Sequence, residues 1–190
     1  SGTTTGHKYA TVVFIHEDNL DVYSDFVFVP ERIDLSDWTI VNGFDVYSVV
    51  YEDAAYLEGD LIDITVAASA LEGENKVLER GFYSYKYDGA TNTYTVLKHD
   101  NANINGIYGH YYGMVEFVDT NNGWTIDPNT EFGALKVTDN TVIVDCTGEL
   151  PEDADIEDVF YYYADPGDKS VEVRLAITIA DDEVTCIYVT

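Results

Sequence analysis

The chain has 190 residues, with 36 Asp and Glu against 9 Lys and Arg, a formal net charge of -27 and a pI near 4.1. Such a surface repels nucleic acid and anionic lipid, because binding to phosphate depends on clustered Lys and Arg that are missing here. A hydrophobic share of 46% excludes a disordered acidic tail, and no run approaches the roughly 20 apolar residues needed for insertion as a membrane span.

Residues 1–8, opening Ser1-Gly2-Thr3-Thr4-Thr5-Gly6, read as a flexible lead-in or tag remnant without the pattern of a signal peptide. Lys8 to His16 alternates as a strand with apolar side chains on both faces, which implies cover on each side. Glu17-Asp18-Asn19 turns the chain, and Asp21 to Val29 supplies a second strand that Pro30 ends by removing a ladder donor. Ile33 to Trp38 looks irregular. Trp38 to Val41 and Phe44 to Tyr51 then pair across Asn42-Gly43, the strongest short hairpin signal.

Tyr56 to Val66 reads as a turn feeding a strand, with Ile62, Ile64 and Val66 on the dry face. After the Glu72–Asn75 turn, Lys76 to Tyr87 and Thr93 to Lys98 form a hairpin with no evident counterpart later in the chain. Asp100 to Gly106 is rich in Asn and Gly without apolar period and reads as a linker.

At Gly109 the opening restarts. Gly109-His110-Tyr111-Tyr112-Gly113-Met114-Val115-Glu116-Phe117-Val118-Asp119-Thr120-Asn121-Asn122 matches the chain from Gly6 to Asn19 at a constant offset of 103, with Gly, His, Tyr, Val, Phe and the final Asn coinciding. A repeat of this kind fixes architecture before anything else. Trp124 to Asp127, Ala134 to Val137 and Thr141 to Cys146 follow as strands. Glu149 to Asp158 is the short-helix candidate, since acidic residues follow Pro151 where a helix dipole favours them. Val159 to Tyr163 reads as a strand, then come the Asp165–Asp168 turn and a closing hairpin, Val171 to Ile179 and Glu183 to Thr190.

The expected fold is all-β and mostly antiparallel, with at most one short helix, in two tandem small β-barrel or β-sandwich modules. Their spans are 9–98 and 109–190, with 99–108 as the linker. Cys146 and Cys186 lie in phase with apolar neighbours, so they are either two buried free thiols or a single bridge in an exported protein.

Leu57-Glu58-Gly59-Asp60-Leu61, Gly113-Met114-Val115 running to Gly123, Val137-Thr138-Asp139-Asn140-Thr141-Val142-Ile143-Val144-Asp145 and the ending Val184 to Thr190 resemble the β-rich repeat regions of surface proteins from Gram-positive anaerobes that carry S-layer homology (SLH) domains. The resemblance implies an extracellular, wall-associated protein built from β modules, with no activity attached. Its partners would be other cell-surface proteins or cell-wall and host glycans. The helical SLH anchor is not in this sequence, so wall attachment would lie elsewhere in a longer parent.

Catalysis has no motif behind it: there is no Gly-x-Ser-x-Gly, His-Glu-x-x-His, Cys-x-x-Cys or glycine-rich phosphate loop. An enzyme is not expected, and neither is a cofactor beyond calcium. His7 and His110 occupy equivalent repeat positions and read as structural. Asp119-x-Asn121-x-Gly123 and Asp165-Pro166-Gly167-Asp168 place oxygen atoms in tight turns, so Asp119 and Asn121 are calcium candidates, beside the plainer reading of Asx-stabilised turns. Trp38 and Trp124 are candidate glycan platforms, with Tyr161-Tyr162-Tyr163 also available. The two readings carried forward are a non-catalytic structural or interaction module and a glycan-binding module.

Overall fold

Alternating side chains make strands of nearly every segment in the computed structural model, which describes residues 26–41, 44–49, 54–71, 76–105, 108–131, 133–147 and 152–190. Nine strands form one sheet: β1 (Val27–Val29), β2 (Ile33–Val41), β3 (Phe44–Val49), β4 (Ala55–Leu57), β5 (Asp60–Ile62), β6 (Ile64–Ala67), β7 (Val77–Leu78), β8 (Gly81–Asp88) and β9 (Thr93–His99). Seven form a second: β10 (Ala102–Asn105), β11 (Tyr108–Thr120), β12 (Gly123–Asp127), β13 (Leu135–Asp145), β14 (Glu152–Asp153), β15 (Ser170–Ala180) and β16 (Glu183–Val189). One α-helix, α1 (Ile156–Tyr163), lies between β14 and β15. The fold is all-β in two modules, as the residue pattern indicates.

The second sheet closes on itself. One edge of β11 carries β15 from Tyr108↔Ala180 to Val118↔Ser170, and its other edge takes β10 at the start and β12 at the end. From β12 the path runs to β13, then to β16 in parallel, then back through β15 to β11. The result is a five-stranded barrel ordered β11-β12-β13-β16-β15, with β14 and α1 inserted in the chain between β13 and β15. Connectivity by itself assigns no ligand.

The first sheet follows the same path. β1 pairs with β4 and β8, β4 with β5, β8 with β9, and β9 runs parallel to β6. Only Asp63 separates β5 from β6, so treating them as one bent strand closes a ring with the same order and the same parallel pair. The β2–β3 hairpin is an addition laid on β6. The β8–β9 hairpin therefore does have a counterpart, β15–β16, contrary to the reading from sequence. By connectivity the partner of β11 is β1, while the earlier copy of the sequence repeat, residues 6–19, lies outside the described residues, as do the Asn42-Gly43 and Glu72–Asn75 turns.

Four local expectations are corrected. Ile33 to Trp38 is strand, with a bulge between Leu35 and Trp38. The stretch read as a linker holds β10, an edge strand paired with β11 through its backbone. The two strands expected around Asp139-Asn140 are one strand, β13, bulged between Val137 and Val142. There the Thr138 N–H donates to Thr141 Oγ1 (3.0 Å), and that hydroxyl donates to Val184 O (2.6 Å).

The helix is displaced by several residues from its expected place. Asp155 caps it, accepting from the Glu157 N–H (3.1 Å), and Glu157 and Asp158 sit in the first turn, where the dipole favours them. Val159 and Phe160 are buried against the core of the second barrel, with Phe117, Ile126, Leu175 and Ile187. Full burial of Phe160 stabilises by about 2–3 kcal/mol, more than the weak strand preference of a Val-Phe-Tyr run. The first barrel has its own interior, formed by Val27, Val29, Ile64, Val66, Leu78, Tyr83 and Val96.

Candidate functional site

Among the described residues, buried titratable groups collect where the two barrels meet. Phe26 and β1 together read Phe26-Val27-Phe28-Val29, apolar on both faces, and all four residues are buried. Val27 and Val29 fill the first barrel, while Phe26 and Phe28 point outward and join Tyr56, Phe82, Val144, Ala176, Cys186 and Tyr188 in a third core shared by both modules. Phe28 stacks on Tyr188 (centroids 4.6 Å) and tilts against Phe82 (5.0 Å), and Tyr56 meets Tyr188 at 5.4 Å. Aromatic pairs at these separations add about 0.5–1.5 kcal/mol each beyond area burial.

The chain crosses between barrels through Asp100 and Asn101, and both are tied down. The Asp100 N–H donates to Phe82 O (2.7 Å), the Phe82 N–H to Asn101 Oδ1 (3.0 Å) and the Tyr112 N–H to Asn101 O (2.6 Å). A turn of the first barrel also reaches the second, where the Gly59 N–H donates to the Tyr188 hydroxyl (3.0 Å).

Each of the titratable groups gathered here, all buried except the half-buried Cys146, is pushed toward its neutral form. His110, 1% exposed, lies between Phe26 (3.8 Å) and Phe82 (4.7 Å), with Nε2 2.9 Å from Asp100 O and 3.9 Å from Asp100 Oδ1, while its Nδ1 has no hydrogen-bond partner. Burial holds its pKa down at about 4, against a weaker upward pull from the Asp100 carbonyl and carboxylate. Burial raises the Cys146 thiol to about 11 and the Cys186 thiol to about 12. Burial, with the neighbouring cysteine sulfurs adding to it, pushes the Tyr56 and Tyr188 hydroxyls far above the usual phenol range.

Both thiols are free, and the register explains why no bridge forms. On the parallel ladder Cys186 faces Val142, and Cys146 lies four residues further along. That separation is about 13 Å, well beyond the 7 Å limit between α-carbons of a disulfide.

The residues nominated from sequence do not converge. Trp124 packs against Phe160 (4.8 Å) and Phe117 (5.4 Å) beneath α1, which engages its ring in the barrel. Trp38 pairs with Tyr47 through the backbone of β2, and its side chain lies outside the described residues. Asp119 is the second-last residue of β11, its N–H donating to Lys169 O (2.8 Å), while Asn121 is exposed at a turn closed by Thr120, whose hydroxyl donates to Gly123 O (2.6 Å). Among the described residues no three His, Cys, Asp or Glu side chains converge on a metal-sized site.

Sequence reasoning missed Phe26, Phe28, Phe82, His110 and Tyr188 as a group. One signal was present, the apolar character of both faces in Phe26–Val29, which marks a strand covered on each side. Comparison of the chain with protein-family models, with curated proteins and with solved structures finds no match.

Proposed function

We propose that the chain is a non-catalytic structural or interaction module of an exported cell-surface protein of the S-layer-associated kind, whose partners are other surface proteins. The observation that supports this reading most is the joint. Two barrels are locked by a shared aromatic core and a clamped crossing, an arrangement suited to holding a fixed spacing and presenting surface. Its buried Cys186, half-buried Cys146 and buried imidazole sit in their neutral forms, the opposite of the lowered thiol or poised base that covalent and acid–base chemistry use. The -27 charge keeps such a module soluble and repels copies of itself.

The glycan-binding alternative drew on Trp38 and Trp124, and the packing of Trp124 under α1 weakens it. A glycan array separates the two readings. The expected result is no saturable binding to any arrayed sugar. A defined glycan whose binding disappears in Trp124→Ala, with the circular dichroism spectrum retained, would replace the structural reading.

A further inference from the structure

Two large aromatic side chains are left in water side by side: Tyr161 is 61% exposed and Tyr162 79%. They stand on a helix that is held firmly from below. Phe160 is fully buried and meets Trp124 at 4.8 Å, and the Ala164 N–H closes the last turn on Phe160 O (2.9 Å). The rings therefore sit on a fixed platform.

Residues three and four apart share a helix face. Asp158 precedes Tyr161 by three positions and Tyr162 by four, and Glu157 precedes Tyr161 by four, so exposed carboxylates share the helix faces that carry both rings. Glu152 to Ser170 contains seven carboxylates and one cation, Lys169. Aromatic faces are themselves electron-rich, and cations favour them, Arg most often. Exposed rings and carboxylates on one rigid face thus match the chemistry of a guanidinium or ammonium group.

We propose that this face of α1 docks a cationic segment of a partner protein, with an Arg or Lys side chain laid over Tyr161 and Tyr162 and paired with Glu157 and Asp158. The inference rests on the interaction-module reading and names the chemistry of the partner. A neutral glycan is the competing occupant, since it would stack on the same rings without needing the carboxylates.

The test titrates the whole chain with a ten-residue peptide of alternating Arg and Gly, and separately with maltohexaose, by calorimetry at 0.15 M NaCl. Peptide affinity should fall at least tenfold in Tyr161→Ala/Tyr162→Ala and in Glu157→Gln/Asp158→Asn. It should stay within twofold in Asp34→Asn/Asp60→Asn, which removes two exposed charges from the first barrel. Both tyrosines are exposed, and thermal melting checks that each variant folds. Peptide affinity unchanged in the tyrosine variant would overturn this docking face and leave the interaction-module reading standing. Maltohexaose binding that is lost in the same variant would overturn both.

Discussion

The backbone of Gly59 runs so close to Val142 that a β-carbon on it would lie 2.7 Å from Val142 Cγ1 and 3.7 Å from Cys186 Sγ. The β4–β5 turn of one barrel is thus pressed onto the bulged strand of the other. A φ of +94° at Gly59 adds a conformation that L side chains rarely adopt. Gly59→Ala is expected to destabilise by about 2–3 kcal/mol, read from urea unfolding. A loss below about 1 kcal/mol would mean that the barrels separate easily at this point.

His110 gives the stability a pH dependence whose sign follows from its lowered pKa. In the unfolded chain the imidazole takes a proton below about 6.5, whereas in the folded joint it stays neutral down to about 4. Stability should therefore fall as the pH drops from about 6.5 to about 4 and level off below, a total of about 3 kcal/mol. Neutralisation of the acidic surface at low pH acts in the opposite direction, by relieving repulsion. Urea midpoints of the wild type and His110→Asn, measured from pH 7 to 5, separate the two effects. The variant should show the flatter profile, and parallel profiles would rule out the buried neutral imidazole as the source.

Thiol chemistry should be silent in the folded state. With Cys146 near 11 and Cys186 near 12, the reactive thiolate is a very small fraction of either at pH 8. Ellman's reagent is expected to modify neither thiol within minutes in native buffer and both in concentrated guanidinium. Mass spectrometry after mild oxidation should find no bridge within the chain. Rapid native labelling of either cysteine would show that the joint opens on that timescale.

Salt and calcium should act alike. Sodium chloride raises stability by screening the -27 surface, since exposed charges beyond about 10 Å are decoupled at 0.1 M. Asp119 and Asn121 sit in a turn already closed by Thr120, so calcium at matched ionic strength should raise the melting temperature no further. An extra rise with calcium that is abolished by Asp119→Asn with Asn121→Ala would establish a specific site through linkage to the folded state.

Strands were legible wherever one face is wet. The alternation of Val171 to Ile179 and of Ile62, Ile64 and Val66 marks β15 and the β5–β6 region almost to the residue. The helix was not, because Val159-Phe160 followed by three tyrosines carries strand propensity, and what overrides it is a hydrophobic seat made by Phe117 and Trp124 far away in sequence. Nor was β10 legible, since Asn-rich edge strands pair through backbone groups that have no side-chain signature. The joint hid for a third reason. Phe28, Phe82 and Tyr188 become neighbours only through tertiary stacking, and the candidate glycan and calcium residues were chosen by type rather than by a shared surface.

The hydrogen bond from Gly59 to Tyr188 spans 129 residues of chain. A ribosome adding about 5–20 residues per second needs on the order of ten seconds to make that stretch. Throughout that interval Phe26 and Phe28, already synthesised, and Phe82, made soon after Gly59, have no second barrel to cover them. The first module is thus born with a sticky aromatic flank, and the emergence of the last strand sets the moment when it can be sealed.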